Sequence, residues 1–131
     1  EVYAEQYILS IEVEAKLVIN MAKTIIYPAA VDYLSKLSST MSSLSDLGIT
    51  LEKESAAAIA ELTNSLVSAV SKLSSSMDKH DFASTEEKLQ YCASTVRPLM
   101  DEVRQHADAI EGVIADNYWP LPTYQEMLFV K

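Results

Sequence analysis

Two histidines and one cysteine are the side chains of this sequence best suited to catalysis or metal binding. His106 follows Glu102 by four residues, so both lie on one side of a predicted helix, where a metal ion could bind. Di-iron bundles need Glu-x-x-His motifs on two helices and further glutamates on the others, and the sequence lacks that set. The spacing of Glu102 and His106 therefore favours a solvated pair. His80, which stands between Lys79 and Asp81, is typical of a surface turn.

Cys92 falls on the apolar stripe of a predicted helix, where a small buried residue is the usual explanation. A nucleophilic cysteine needs a base and an oxyanion site, and no such set is present in the sequence. The glycines, Gly48 and Gly112, are too far apart to form a phosphate-binding loop. We therefore predict no catalytic, cofactor-binding or metal-ligating residue in this chain. A single cysteine also excludes a disulfide framework and favours a reducing compartment.

The composition favours a helical domain. The 131 residues include only 2 Gly and 4 Pro, too few for the many tight turns of a sheet protein. The net charge of −9, without a Lys/Arg cluster, argues against nucleic acid or an anionic membrane as a partner. No segment approaches the ~20 apolar residues of a membrane helix, so we expect a cytoplasmic protein. Because the helical period already begins at Val2, we interpret the chain as a piece of a longer protein.

Apolar residues at spacings of three and four predict three helices and a short tail. Their approximate ranges are 2–46 for helix one, 51–77 for helix two, 85–117 for helix three and 124–129 for a terminal helical turn. Pro28 lies inside helix one, where the continuing period predicts a kink rather than a break. The predicted fold is all-α: an antiparallel three-helix bundle or long helical hairpin with a kinked first helix and a short C-terminal helical tail.

The predicted stripe of helix one passes through Ile11, Ala15, Ala22, Ile25 and Ala29. Helix one is also longer than helix two: at about 1.5 Å per residue the two span roughly 65 and 40 Å. A helix two that folds back from the Gly48 turn therefore reaches only to about residue 17. We predict that about the first 15 residues project beyond the bundle. Tyr3, Tyr7, Ile8 and Ile11 would then contact a part of the protein outside this sequence.

Both ends of the sequence resemble one known family. The run Trp119-Pro120-Leu121-Pro122-Thr123-Tyr124 is similar to the closing segment of type III glutamine synthetases. Residues 5–33 resemble the stretch after the catalytic barrel of that family, through Glu14-Ala15, Met21-Ala22-Lys23 and Pro28-Ala29. The segment Val96-Arg97-Pro98-Leu99-Met100 also fits, whereas the Ser-rich second helix matches only in its period. The chain is thus identified as the C-terminal helical domain of a type III glutamine synthetase.

This resemblance implies a parent enzyme that joins ammonia to glutamate at the expense of ATP, with Mg or Mn bound upstream of this chain. It implies cytoplasmic double hexameric rings, so the partners are the domain's own catalytic domain and neighbouring subunits. No metal, nucleotide or ammonia contact of the family maps onto the chain, which predicts a non-catalytic structural or assembly domain. Its candidate packing residues are Tyr3, Tyr7, Ile11, Trp119, Pro120, Pro122, Tyr124 and Phe129.

Two other interpretations remain open from the sequence. A free-standing helical interaction or signalling module is favoured by the serine-rich periodic helices. Pro28 and Pro98 weaken the sustained heptad repeat that such a module needs. A small di-iron or haem bundle requires bound metal or colour in the purified chain.

Overall fold

Helices account for nearly all of the structure, as the scarcity of glycine predicts. The computed structural model describes residues 2–51 and 53–114. The first helical arm consists of α1 (Val2–Met21), a π-helical turn (Ala22–Ile26) and α2 (Tyr27–Asp46), and the second arm is α3 (Glu54–Ser76). The third arm consists of α4 (Thr85–Tyr91), a second π-helical turn (Cys92–Val96) and α5 (Arg97–Glu111). These ranges contain no strand, and the predicted all-α class is confirmed.

Local sequence signals mark where the arms end and begin. Gly48 adopts a φ of +80°, and the N–H of Ile49 donates to the carbonyl of Leu44 at 2.8 Å, which closes the end of α2. Ser84 caps α4, because its hydroxyl accepts from the N–H of Glu87 at 3.2 Å. The predicted end of the third helix near residue 117 and the predicted tail helix lie outside the described residues.

Two prolines each follow a π-helical turn, in which the helix is wider by one residue. The N–H of Tyr27 donates to the carbonyl of Ala22 immediately before Pro28, and the equivalent bond at Arg97 precedes Pro98. A proline lacks an N–H, and its ring clashes with the carbonyl four residues earlier in a regular α-helix. A wider turn at this place relieves that clash, so the first arm continues through Pro28.

The first π-helical turn changes which residues of the first arm face the core. Ile26 at the end of the turn and Ala30 in α2 are buried, whereas the sequence pattern predicts Ile25 and Ala29, which are only partly buried. The extra residue in the turn rotates α2 by one position relative to an uninterrupted α-helical period. The predicted stripe is therefore wrong by one residue at Ile25 and Ala29.

One hydrophobic cluster joins the three arms. Its side chains lie on the inner sides of the helices and pack along the length of the bundle, which removes their apolar surface from water. The buried members are Ile8, Ile11, Ala15, Ala22, Ile26, Ala30, Leu66, Ala69, Val70, Leu73, Cys92, Val96, Met100, Val103, Ile110 and Ile114.

The start of α1 packs against the third arm, so the predicted projection of about the first 15 residues is wrong. Ile8 and Ile11 lie in the core cluster, and the Glu12 carboxylate pairs with Lys88 of α4 at 3.3 Å. The reason lies in residues 77–84. This connection carries the chain past the end of α3 and along α1 before α4 begins, so the third arm reaches residues that α3 does not.

Aromatic and hydroxyl contacts hold the connection between α3 and α4 in place. The Tyr91 hydroxyl donates to the carbonyl of Ser76 at 2.9 Å. The rings of Phe82 and Tyr91 are 5.3 Å apart between centroids, and the Lys79 ammonium lies 5.2 Å from each centroid. These contacts fix the end of α3 to the start of the third arm and thereby set the position of α4 against α1.

Candidate docking surface

Helix α1 carries apolar residues on two opposite sides. The buried side consists of Ala4, Ile8, Ile11 and Ala15. Because an α-helix has about 3.6 residues per turn, the opposite side carries Val2, Leu9, Val13 and Leu17. These four side chains are exposed by 69%, 62%, 57% and 55%, respectively. We call them the outer row of α1.

The outer row is too regular to be a scatter of single exposed residues. Leu9, Val13 and Leu17 follow one another at intervals of four, and Val2 lies two turns before Leu9, with Gln6 between them. At about 1.5 Å per residue the row runs roughly 22 Å along the helix. Exposed apolar residues grouped on one side of a helix, rather than scattered singly, mark a contact surface.

A shallow groove of about 220 Å³ lies beside the outer row, between α1 and α5. Its lining is mostly apolar and includes Leu17, Val18, Met21, Ile26, Val103 and Ala107. At its rim the Glu14 carboxylate pairs with Arg104 at 3.7 Å. The groove widens the apolar surface toward the third arm at the Leu17 end of the row.

The charges near the outer row fall into two groups. Glu12 and Glu14 pair with basic residues of the third arm, at 3.3 and 3.7 Å. Glu5 and Lys16 are exposed, and neither forms an ion pair within residues 2–51 and 53–114. The carboxylates of Glu12 and Glu14 therefore hold α1 against the third arm, whereas Glu5 and Lys16 are available for contacts with another molecule.

The predicted packing residues occupy different environments. Tyr3 is 88% exposed and Tyr7 is 37% exposed, so both can take part in a contact. Ile11 is only 2% exposed and packs in the core cluster, so the expected contact of Ile11 with a part outside the sequence is wrong. The other predicted residues lie outside the described ones: Trp119, Pro120, Pro122, Tyr124 and Phe129.

Sequence reasoning missed the outer row itself. The stripe through Ile11 and Ala15 taken alone predicts a single apolar side of the helix. Leu9, Val13 and Leu17, spaced four apart, already form a second stripe in the sequence. The two stripes together predict that α1 has two apolar sides.

Neither histidine lies in the core: His106 pairs with Glu102 at the partly exposed surface, and His80 is exposed. His106 Nε2 lies 3.9 Å from Glu102 Oε2, and the Lys72 ammonium lies 3.4 Å from the same oxygen. His80 is exposed in the connection between α3 and α4. In the part of the chain that the structure describes, no group of three or more His, Cys, Asp or Glu residues could hold a metal ion. Glu102 and His106 therefore form a partly solvated pair.

Cys92 is buried in the core cluster, as its place on the stripe predicts. Burial raises the pKa of its thiol above the ordinary value of 9.0; nearby Glu12 raises the pKa further, and Lys88 lowers it. The thiol is the form present at neutral pH, and a thiol is a much poorer nucleophile than a thiolate. Cys92 thus acts as a small apolar residue where the third arm meets α1.

The fold and the outer row together define a class of protein: an all-α helical bundle domain with an exposed apolar row on its first helix. The family described as "Glutamine synthetase C-terminal domain" matches residues 1–45, which include α1, the first π-helical turn and most of α2. Within the described residues, no helix is both long enough and apolar enough to cross a membrane.

Three relatives extend this similarity. The chain is 31% identical to a glutamine synthetase of Bacteroides fragilis (strain YCH46) and 28% identical to a type-3 glutamine synthetase of Dictyostelium discoideum. Each alignment covers 100% of this chain and 19% of the relative. A stretch of 43 residues is 49% identical to a glutamine synthetase of Butyrivibrio fibrisolvens and covers 33% of this chain and 6% of that relative.

These similarities confirm the recognition made from the sequence: the chain matches the C-terminal helical domain of glutamine synthetases, a type-3 one among them. The relatives are glutamine synthetases rather than free-standing helical modules. The chain spans about a fifth of the length of the relatives that it matches over its whole length, since each alignment covers 19% of the relative.

Proposed function

We propose that the chain is a non-catalytic assembly domain of a glutamine synthetase, and that the outer row of α1 docks it onto the rest of that enzyme. The observation that carries this proposal is the exposed apolar side of a helix whose opposite side already lies in the core. Covering such a row removes apolar surface from water and thereby stabilises the assembly.

The position of the family match supports the same surface. The match covers residues 1–45, and the whole outer row lies inside this range. The relatives are about five times as long as the chain, since each alignment covers 19% of the relative. A longer enzyme of this kind offers two candidate partners for the row, its own catalytic domain and a neighbouring subunit.

Catalysis belongs to the rest of the proposed enzyme. Its reaction would join ammonia to glutamate with ATP and Mg or Mn, in a cytoplasmic homo-oligomer built as a double hexameric ring. Within residues 2–51 and 53–114 no group of three or more His, Cys, Asp or Glu residues fits a metal. We therefore assign no step of the reaction, and no metal or nucleotide contact, to the described residues of this chain.

The assignment of catalysis to the rest of the enzyme can be tested by activity measurements. The 131-residue chain alone should form no glutamine from glutamate, ammonia, ATP and Mg. The full-length enzyme should form glutamine under the same conditions. Synthesis by the isolated chain would overturn the assignment of this chain as non-catalytic.

The docking role can be tested in the full-length enzyme. Replacing Leu9, Val13 and Leu17 together by Ser should yield smaller particles by light scattering and reduce glutamine formation, because the docking surface loses its apolar side chains. A matched control replaces Asp101, Gln105 and Asp108, which lie on the exposed side of α5, by Ser. An unchanged particle size and unchanged activity of the first variant would contradict the proposal.

A further inference from the structure

We propose that the outer row of α1 pairs with the outer row of a second copy of this chain, antiparallel and related by a twofold axis. This proposal rests on the proposed function, because it names the partner of the docking surface. The partner would be an identical helix that carries the same apolar row. A twofold contact buries the same surface on both copies, so every contact occurs twice.

The apolar residues of the row are arranged for such a pairing. In an antiparallel pair centred near Ile11, residues whose numbers add up to about 22 face each other across the contact. Leu9 of one copy then faces Val13 of the second copy, and the reverse contact follows from the symmetry. The two branched side chains near the centre of the row would therefore cover each other.

The two unpaired charges specify the antiparallel direction. Glu5 and Lys16 are eleven residues apart, which is about three turns, so they lie on the same edge of α1. A twofold axis brings that edge next to itself, and Glu5 of one copy then faces Lys16 of the second copy, twice. In a parallel pair related by a twofold axis along the helices, this edge lies next to the opposite edge of the second copy, so Glu5 and Lys16 would not meet and the attraction would be lost.

The other charged residues of α1 already have partners within the chain. The carboxylates of Glu12 and Glu14 lie 3.3 and 3.7 Å from Lys88 and Arg104. Glu5 and Lys16 have no such partner among the described residues, although they flank the outer row. The net charge of −9 opposes association of two copies at long range, but salt at physiological strength screens charges beyond roughly 8 Å. The two contact pairs can then act locally.

Charge reversal tests the pairing directly. In sedimentation equilibrium of the chain, Glu5→Lys and Lys16→Glu should each lower the association constant of the dimer roughly tenfold, because two attractive pairs become repulsive. The double variant Glu5→Lys/Lys16→Glu should regain most of the association, since each reversed charge again faces its opposite. Circular dichroism confirms that all variants are equally helical.

Two control variants match the change in net charge at other sites. Glu61→Lys on α3 and Lys36→Glu on α2 alter exposed residues that form no ion pair among the described residues. Both controls should associate as the unchanged chain does. If the controls weaken association as much as Glu5→Lys and Lys16→Glu do, net charge rather than contact explains the effect, and the proposed pairing is wrong.

Other outcomes also decide between the two proposals. A chain that stays monomeric, or a double variant as weak as the single ones, overturns the antiparallel pairing. If the Ser variant of Leu9, Val13 and Leu17 nevertheless breaks the full-length assembly, the docking surface stands and its partner is another part of the enzyme. If that Ser variant has no effect either, the docking function itself fails.

Discussion

Helices α1 and α5 share one hydrophobic core but have different outer sides. Both bury isoleucines completely or nearly so, Ile11 on α1 and Ile110 on α5. The exposed side of α5 is charged, and Asp101 pairs with Arg97 at 3.9 Å and with Arg104 at 3.8 Å. The exposed side of α1 carries the apolar outer row instead.

The exposed side of α5 shows which residues a solvated helix surface carries in this bundle. On α5 the polar residues alternate in sign, which is typical of a helix side that remains in water. Since α1 packs in the same core, its apolar outer side is not needed for the bundle to form. The outer row is therefore better explained by a contact that the described residues do not themselves provide.

The largest expected losses of stability test whether the buried sides of α1 and α5 contribute equally to the core. Ile11→Ala and Ile110→Ala should each lower the free energy of unfolding by about 2–5 kcal/mol, because each leaves a cavity in the cluster. Urea unfolding followed by circular dichroism measures both. Val31→Ala, at an exposed position of α2, is the control and should change the free energy by less than about 0.5 kcal/mol. A small loss for Ile11→Ala alone would mean that α1 is only loosely attached to the core.

Periodicity predicted the fold well where the helices are regular. It predicted the all-α class and the three helical arms, because apolar residues at helical spacing mark the side of each helix that packs against its neighbours. It failed at Ile25 and Ala29, since a π-helical turn inserts a residue that no spacing rule shows in advance. It also failed at the start of α1, where the position of the third arm depends on the path of residues 77–84.

The docking surface was less predictable for a different reason. A sequence pattern shows that Leu9, Val13 and Leu17 lie on one side of a helix, but not which of two apolar sides faces the core. Contacts of Ile8 and Ile11 with the other arms decide that question, and these contacts join residues far apart in the sequence. The exposed side could be recognised only after the third arm was placed.

Ion pairs between α1 and the third arm should have a smaller effect. Arg104→Ala removes the pairs with Glu14 and Asp101, and should lower the free energy of unfolding by no more than about 1 kcal/mol, since these side chains are partly solvated. Raising the salt concentration in the urea titration should reduce the difference. Arg97→Ala, whose recorded pair stays within α5, is the control. Equal losses for both variants would mean that the Glu14 pair adds nothing between the helices.

The titration of the Cys92 thiol, at the junction between α1 and the third arm, should make the stability of the chain depend on pH. Its pKa is raised in the folded chain, first by burial and then by Glu12, so the folded state favours the protonated thiol. The associated stability is fully present below the ordinary pKa of 9.0 and is lost as the pH rises through the folded pKa. Urea unfolding across this range should show a steeper decline for the unchanged chain than for Cys92→Ala, which removes the titration. Parallel declines would show that the thiol titrates alike in both states.

The smallest effect on the chain itself is expected on the outer row. At concentrations where the chain is monomeric, Leu9→Gln, Val13→Gln and Leu17→Gln should each change the free energy of unfolding by less than about 0.5 kcal/mol, because these side chains already contact water. At higher protein concentration the unchanged chain should become more stable than the variants, since pairing adds stability only to the folded, associated form. A loss above about 2 kcal/mol in the monomer would mean that the row packs within the chain. The contrast between α1 and α5 would then reflect folding rather than docking.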